Sequence, residues 1–277
     1  VNKMTTPLKT LTIAGSDTSA AGGMQADLKT FEEFGTYGMV ALTCIVTMDP
    51  ENWNHHVNQV DPQLLKDQLA TVFSGGNPDA MKTGMLGDQT TVEIAYHAIK
   101  DHQLKNVVID PVMICKGETD VLNPDAANAI RDLLMPVADV TTPNLFEAGV
   151  LSGMGTLHNL DEMKQAAKKI HELGAKNVVV KGGKGLDSAE AVDVFYDGKA
   201  FETLSSTKQA TDRNAGAGCT FAAAVVGGLA NGLSVADAVH LAKKFDTAAI
   251  QNGFDLNKFL GPVFHPAYRM KTVGKLV

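Results

Sequence analysis

The stretch Leu-Lys-Thr-Leu-Thr-Ile-Ala at residues 8–14 opens the pattern that decides the fold of this chain. Its β-branched and apolar residues predict a buried strand. Residues from about 23 to 34 follow with the apolar spacing of a helix. The sequence therefore begins with a βα unit.

The same alternation recurs along most of the chain. Apolar stretches predict further strands at residues 40–47, 80–82, 107–111, 137–141 and 177–181. Helical spacing occurs between them at residues 62–74, 90–102, 126–134 and 161–173. Strands that alternate with helices pair in parallel, and their continuous apolar character predicts burial on both faces of the sheet.

The last third of the chain departs from this alternation. Residues 192–196 and 200–204 flank Asp197-Gly198, a dipeptide typical of a tight hairpin turn, so they predict a small antiparallel edge. Two helices close the pattern, at residues 218–231 and 235–251. We expect one α/β domain over residues 1–277, with an open, mostly parallel central sheet and helices on both faces. In such sheets, ligands bind outside the carboxyl ends of the strands.

Composition excludes several classes of protein. The formal net charge is −7 and no dense Lys/Arg block occurs, so nucleic acid is not an expected partner. No segment approaches the roughly 18 consecutive apolar residues of a membrane-spanning helix, and the N-terminus lacks a signal-peptide pattern. Cys44, Cys115 and Cys219 are far apart, which argues against a disulfide framework or a zinc site. Free thiols suit a cytoplasmic protein.

The strongest local signal is Asn-Ala-Gly-Ala-Gly-Cys-Thr-Phe at residues 214–221, a glycine-rich turn that opens an apolar helix. Gly216 and Gly218 permit positive φ and a close approach of the backbone. The amides of Ala217, Gly218 and Cys219 would then hold an anion at the positive end of the helix. The alternative is an ordinary tight turn. Neither a P-loop motif nor a dinucleotide-binding GxGxxG occurs, so this is not a Walker or Rossmann site.

Carboxylates and an amide follow two of the predicted strands. Thr142 and Pro143 predict a helix N-cap and first helical residue, which places Asn144 and Glu147 on one face of the first turn. An amide and a carboxylate so placed suit a hydrated Mg²⁺, and the alternative is a capping glutamate. Asp110, at the end of the strand at 107–111, either serves the same metal or caps a loop.

Lys181 and Lys82 also stand at the ends of predicted strands. Either one alone is as well explained by a surface lysine whose stem packs against the protein. At one edge of the sheet, the sequence places two such cations together with carboxylates and a glycine-rich helix start. This combination favours phosphoryl transfer, because that reaction requires positioning and charge neutralisation.

With these motifs the chain resembles the pyridoxal kinases and hydroxymethylpyrimidine (phosphate) kinases of the ribokinase-like superfamily. The motifs occur in family order from about residue 8 to 268: AGSD at 14–17, QAD at 25–27, KTGML at 82–86, DPVM at 110–113, TPNLFEA at 142–148, KGG at 181–183 and GAGCT at 216–220. The resemblance implies a ribokinase-like fold, the use of ATP and Mg²⁺, and a homodimer.

The resemblance also implies roles for individual residues. Gly216, Ala217, Gly218 and Cys219 would form the anion hole, with Cys219 as the base in place of the aspartate of more distant relatives. Lys181, Asn144 and Glu147 would bind ATP and its Mg²⁺, and Asp110 would lie near the same metal. The residues around the substrate ring would be Ser16, Asp17, Asp27, Met48, Met85 and Val112. At the N-terminus of a helix we expect the pKa of Cys219 to be lowered toward neutrality.

Two residues favour pyridoxal as the substrate. Met48 stands where the pyrimidine kinases typically have glutamine, and a thioether cannot reproduce the paired donor and acceptor of an amide. Cys115 resembles the lid cysteine of a pyridoxal kinase subgroup in which a second thiol traps the aldehyde as a hemithioacetal. The alternatives are a hydroxymethylpyrimidine kinase of thiamine biosynthesis, a catalytically weak pyridoxal phosphate-binding protein and, with least support, a Rossmann dehydrogenase.

Two departures from the family pattern bear on activity. The glycine-rich segment before Gln25 is rearranged to Ser-Ala-Ala-Gly-Gly at residues 19–23, which leaves its turn geometry open. Ala215 stands where a histidine commonly precedes the glycine-rich turn, and the loss of an imidazole there would weaken activation of the thiol.

Overall fold

The computed structural model describes residues 5–113 and 123–275. It contains one nine-stranded sheet with the strand order β3-β2-β1-β4-β5-β6-β7-β8-β9. The strands are β1 (Lys9–Asp17), β2 (Tyr37–Met48), β3 (His55–Gln59), β4 (Ala80–Thr83), β5 (Val107–Ile109), β6 (Val140–Thr141), β7 (Asn177–Lys181), β8 (Glu190–Tyr196) and β9 (Phe201–Thr207).

Pairing is parallel from β2 across β1, β4, β5 and β6 to β7, as the alternation of strands and helices predicts. β8 and β9 add the predicted antiparallel edge. The α/β fold with a mostly parallel sheet is confirmed. β3, at the opposite edge, pairs antiparallel with β2 and was not predicted. Its residues are largely polar and exposed, so the sequence has no apolar alternation there, and only backbone hydrogen bonds to β2 define the strand.

Helices cover both faces of the sheet. They are α1 (Gly23–Glu33), α2 (Pro62–Phe73), α3 (Gln89–Asp101), α4 (Pro124–Ala129), α5 (Leu145–Ser152), α6 (Leu160–Glu172), α7 (Ala217–Ala230), α8 (Val235–Gln251) and α9 (Ala267–Val273). One core lies under α2 to α6 and the other under α1, α7 and α8. Side chains alternate between the two faces along β7. Val178 and Val180 therefore pack in the first core and Val179 packs in the second.

Two predicted elements differ in the structure. The helix expected at residues 126–134 is α4 followed by a π-helical turn, Ile130–Leu134, and the strand expected at 137–141 is reduced to Val140–Thr141. α9 has only one buried residue, Ala267, and too little apolar periodicity to be predicted. Among the described residues no helix is long and apolar enough to cross a membrane.

The start of α5 is also later than predicted. Its N-cap is Asn144, so Thr142 and Pro143 precede the helix and the prediction that they begin it was wrong. The reason is that the backbone here still extends the sheet: the amide of Thr142 donates to Ile109, and the carbonyl of Pro143 accepts from Lys181. This delay places both Asn144 and Glu147 at the carboxyl edge of the sheet.

We predict that α5 depends on the glycine at position 149. A Cβ atom there would overlap the carbonyl oxygen of Gly155, whereas at Gly153, with φ +71°, it would meet no atom within 4 Å. Gly149→Ala should lower the free energy of unfolding by about 3 kcal/mol because the backbone must shift. Gly153→Ala should cost about 1 kcal/mol, through its left-handed φ alone. Urea unfolding measures both, and equal losses would contradict this packing.

Candidate active site

Two cavities lie side by side at the carboxyl edge of the sheet. The larger, of about 710 Å³, is at the point where β1 pairs with β2 on one side and β4 on the other, which is where α/β sheets bind ligands. The second, of about 450 Å³, lies between the region of β7 to β9 and α8. Five residues line both cavities: Asn144, Lys181, Asn214, Ala217 and Gly218. A ligand in each cavity would therefore meet the other at the start of α7.

The glycine-rich turn forms this meeting point. Gly216, the N-cap of α7, has φ +86°, and a Cβ atom there would overlap the carbonyl oxygen of Ala21, so only glycine fits. Gly218 does not adopt the positive φ that glycine permits: this residue lies within α7, and its Cβ position is 3.2 Å from the Nζ of Lys181. The amide of Ala217 donates to Asn214. The first-turn amides of Gly218 and Cys219 have no acceptor within the helix.

Cys219 lies half-buried on the same turn and lines the larger cavity. Burial raises the pKa of its thiol to about 11, although Lys82 and a hydrogen bond from the amide of Gly23 act in the opposite direction. The expectation that the helix N-terminus lowers the pKa of this thiol was therefore wrong, because desolvation outweighs the nearby positive charges.

Beneath the cavity lies a fully buried ion pair between Lys82 and Asp27. The Nζ of Lys82 is 2.7 Å from the Oδ1 of Asp27, whose Oδ2 accepts a hydrogen bond from Thr12 at 2.7 Å. Burial alone would lower the pKa of Lys82, but the charges of Asp27, Cys219 and Asp110 outweigh it and raise this pKa above its ordinary value. Lys82 is therefore not the surface lysine that the sequence allowed. Its ammonium group is held by a carboxylate in the floor of the site.

Three charged side chains converge on the junction of the two cavities. The Nζ of Lys181 is 3.8 Å from the Oδ1 of Asp110, which also accepts from Thr142 at 3.3 Å. Glu147 and Asn144 form a capping box with two bonds of 2.9 Å. Glu147 is 5% exposed, so it is both the capping glutamate of the alternative interpretation and a buried group at the site.

The electrostatics of this junction favour an added cation. Burial and the neighbouring charge of Asp110 raise the pKa of Glu147 to about 8, whereas Lys181 acts in the opposite direction. Two buried carboxylates so close together supply the oxygen donors that Mg²⁺ prefers. The described residues contain no group of three or more acidic, histidine or cysteine side chains that would enclose a metal by themselves. Asp110 and Glu147 therefore fit a Mg²⁺ that keeps most of its waters.

The residues predicted around the substrate ring also converge. All six of them line the larger cavity: Ser16, Asp17, Asp27, Met48, Met85 and Val112. Asp17 organises the rearranged turn, because its carboxylate accepts from the amides of Ser19 and Gly22 at 2.9 and 2.8 Å. Cys115 lies outside the described residues. Ala215 is buried against Ala21 and Leu260, so the position without a histidine is packed by small apolar side chains.

The lining of the larger cavity also includes residues from segments in which no site residue was predicted: Trp53, His55, Phe259 and Leu260. Trp53 and His55 follow β2 at one edge of the sheet, and the other two follow α8, more than 200 positions later in the chain. The one available signal was that Trp53 is the only tryptophan of the chain. No local pattern indicates that these segments meet.

Comparisons with known proteins agree with this arrangement. A family model described as phosphomethylpyrimidine kinase matches residues 17–264. The chain is 55% identical over 263 residues to the pyridoxine kinase of Bacillus subtilis, covering 95% of this chain and 97% of that protein. It is 35% identical over 266 residues to the hydroxymethylpyrimidine/phosphomethylpyrimidine kinase of the same organism, covering 96% and 97%. The pyridoxal kinase from Staphylococcus aureus in complex with AMP-PCP and pyridoxal has a similar structure, with a TM-score of 0.91, 48% identity and 95% of each chain covered.

We predict that the buried ion pair is critical for stability. Lys82→Met should lower the free energy of unfolding by about 3–5 kcal/mol, because Asp27 is left buried without its counter-ion. The double variant Lys82→Met/Asp27→Asn should recover most of that loss. As a matched control, Lys176→Met removes an exposed partner of Asp139 and should cost less than about 1 kcal/mol. Chemical denaturation measures all three, and a loss at Lys82 no larger than at Lys176 would contradict the assignment.

A second prediction concerns the thiol of Cys219. Because burial raises its pKa to about 11, the thiolate is a minor species at neutral pH and its fraction increases with pH. Alkylation of Cys219 by iodoacetamide, followed by peptide mass spectrometry, should accelerate about tenfold per pH unit between roughly pH 7 and 10. Circular dichroism at each pH establishes that the protein stays folded. A rate that levels off between about pH 9 and 10 would indicate an ordinary thiol, and one that levels off nearer neutrality would indicate an acidified thiol.

Proposed function

Because the chain belongs to the phosphomethylpyrimidine kinase family, we propose a mechanism for its vitamin B6 kinase reaction in which Cys219 receives the proton of the substrate alcohol. The protein is an ATP-dependent kinase that phosphorylates the 5′-hydroxymethyl group of pyridoxal to give pyridoxal 5′-phosphate. Its substrates are a small molecule and ATP. We propose that residues 1–277 carry out this reaction as one domain.

One observation carries the mechanism: two cavities share a wall at the start of α7. With the vitamin in the larger cavity and the nucleotide in the second, the reacting hydroxyl and the γ-phosphoryl group would meet beside Ala217 and Gly218. Phosphoryl transfer is catalysed mainly by holding the two reactants in line and stabilising the charge on the transferred group. The shared wall provides that position, because the first-turn amides of Gly218 and Cys219 and the ammonium group of Lys181 lie beside it.

The substrate hydroxyl loses a proton in this reaction, and Cys219 is the base that receives it in the proposed mechanism. The hydroxymethyl oxygen forms a bond to the γ-phosphorus while the bond from phosphorus to the ADP oxygen breaks, and the hydroxyl proton passes to the sulfur. Only the thiolate can accept it. Because burial raises the pKa of the thiol to about 11, the reactive form is scarce at neutral pH, and the charge of Lys82 favours it. Lys82 thus acts through Cys219 rather than by touching phosphate.

The remaining charged groups serve the nucleotide. Lys181 lies at the junction and would pair with the oxygens of the transferred phosphoryl group, which carry the negative charge. Mg²⁺, held through water by Asp110 and Glu147, would neutralise charge on the phosphate oxygens of ATP. Glu147 binds best when ionised, so its raised pKa implies that it releases its proton as the cation and nucleotide enter.

Two observations favour pyridoxal over the pyrimidine alcohol. The chain has a higher sequence identity to a pyridoxine kinase than to a hydroxymethylpyrimidine/phosphomethylpyrimidine kinase, and a methionine lies in the wall of the larger cavity. Met48 lines this cavity and offers no amide to pair with a pyrimidine. Capture of the pyridoxal aldehyde by Cys115 is proposed from the sequence resemblance alone. The same resemblance supports a homodimer, and the free thiols of Cys44 and Cys219 support a cytoplasmic location.

A hydroxymethylpyrimidine kinase activity is the second candidate, because the matching family model is described as phosphomethylpyrimidine kinase and a relative 35% identical to this chain is a hydroxymethylpyrimidine/phosphomethylpyrimidine kinase. A comparative assay separates the two. Protein with Mg·ATP is offered pyridoxal, pyridoxine or hydroxymethylpyrimidine, and ADP release is measured with each. The proposal expects the highest kcat/KM with a B6 vitamer. Preference for the pyrimidine would assign the protein to thiamine synthesis, and tight binding without turnover would assign it to storage or delivery of the vitamin.

We predict that Cys219→Ala loses turnover rather than binding. A missing base should lower kcat by about 10²–10⁴-fold while KM for pyridoxine and ATP changes little. In the parent, kcat at saturating Mg·ATP, where Glu147 has already released its proton, should rise with pH between about 7 and 9, because the thiolate fraction increases below a pKa of about 11. This rise should disappear in the variant. Near-parent turnover, or an unchanged pH profile, would remove Cys219 from the mechanism.

A further inference from the structure

Two aromatic rings from distant parts of the chain meet at the mouth of the larger cavity. The rings of Trp53 and Phe259 are stacked, with centroids 5.6 Å apart and an angle of 20° between their planes. Trp53 lies in the turn between β2 and β3, and Phe259 lies in the segment between α8 and α9. Both line the cavity and Phe259 is exposed, so the pair forms part of the cavity wall where it meets solvent.

This pair belongs to neither of the two main cores. Trp53 packs against a small cluster of Ala21, Ala215 and Leu260, which lies beside the turn that bears Cys219. Phe259 remains 40% exposed, with the ammonium group of Lys258 4.7 Å from the centre of its ring. Trp53 is partly buried, whereas much of the apolar surface of Phe259 stays in contact with water, which folding alone does not explain.

The backbone of Trp53 gives independent evidence of a specific role. Its φ is +65°, a left-handed conformation that is rare for a bulky residue and costs free energy. The turn enforces it through hydrogen bonds from the amide of Trp53 to Asp49 at 2.8 Å and from the amide of Asp49 to Asn54 at 2.9 Å. Such strain persists where the surrounding structure requires it, and it concentrates at ligand sites. Here it directs a tryptophan to the rim of the cavity.

We propose that Trp53 and Phe259 form an aromatic outer wall of the vitamin site and contact the planar ring of the bound B6 vitamer. This inference rests on the proposed function and adds residues that determine affinity for its substrate. A planar heteroaromatic ring packs favourably against aromatic side chains, and its burial would cover the apolar surface that the free protein exposes. The wall also separates the reacting hydroxyl from bulk water on the side away from the sheet.

An aromatic wall recognises the ring and not its substituents. It should therefore support pyridoxal and pyridoxine alike, in contrast to a thiol that captures only the aldehyde. Neither Trp53 nor Phe259 lines the second cavity, so nucleotide affinity should not depend on them. These two features distinguish loss of the wall from general damage to the enzyme.

The kinetic test uses Trp53→Ala, with Trp53→Phe as the conservative variant. We expect Trp53→Ala to raise KM for both pyridoxal and pyridoxine about tenfold, Trp53→Phe to stay within about threefold of the parent, and KM for ATP to be unchanged in both. Phe254→Ala is the matched control. Phe254 is 43% exposed in the same segment as Phe259, packs on Phe264 and is not among the residues that line the cavity. Vitamin KM values in Trp53→Ala that match those of Phe254→Ala would overturn the proposal.

The single tryptophan supplies a binding test that does not need turnover. Acrylamide quenching of the intrinsic fluorescence reports on Trp53 alone, since the chain has no other tryptophan. Saturating pyridoxine should lower the quenching constant, and Phe259→Ala should raise it in the free protein. Protection without kinase activity in the parent would support the wall and refute the kinase reaction. Kinase activity without any protection of Trp53 would overturn the wall and leave the reaction in place.

Discussion

The structure depends on the position of β1 between β2 and β4. β1 pairs in parallel with both. After β1 the chain continues on one side to β2, whereas after β4 it continues on the other side to β5. The helices that follow β1 and β4 therefore lie on opposite faces of the sheet, and the carboxyl ends of these strands border an open crevice. The larger cavity is this crevice. Its walls include Asp17 at the end of β1, Met85 after β4 and Asp110 after β5.

Charge compensation is the second constraint on the site. Lys82 and Asp27 are removed from water as a pair, while Asp110, Glu147 and Lys181 form a group in which the lysine balances only part of the negative charge. A group of this kind is costly to bury unless ligands complete it. A nucleotide and its cation add both signs of charge at the same place. The electrostatics of the free protein are thus suited to the phosphoryl group and the cation of the proposed mechanism.

Cys219 and the aromatic wall show two different consequences of burial. Around Cys219, burial raises the pKa of the thiol, so in the proposed mechanism the surroundings that would shield the reacting hydroxyl from water also make the thiolate scarce. At the rim, burial is incomplete: Trp53 and Phe259 stack on each other but keep exposed surface. In the proposed complex, the ring of the vitamer would cover part of that surface.

The sequence by itself determined the order of strands and helices, the parallel sheet, the antiparallel edge of β8 and β9, and the convergence of Asp110, Asn144, Glu147, Lys181 and Gly216. These features follow from apolar periodicity, turn residues and the direction of each strand, which are local properties. It did not determine β3, the first residue of α5, the buried state of Lys82, the high pKa of Cys219 or the contact between Trp53 and Phe259. Desolvation and contacts between distant segments decide these features, and both depend on which residues the fold brings together from far apart in the chain.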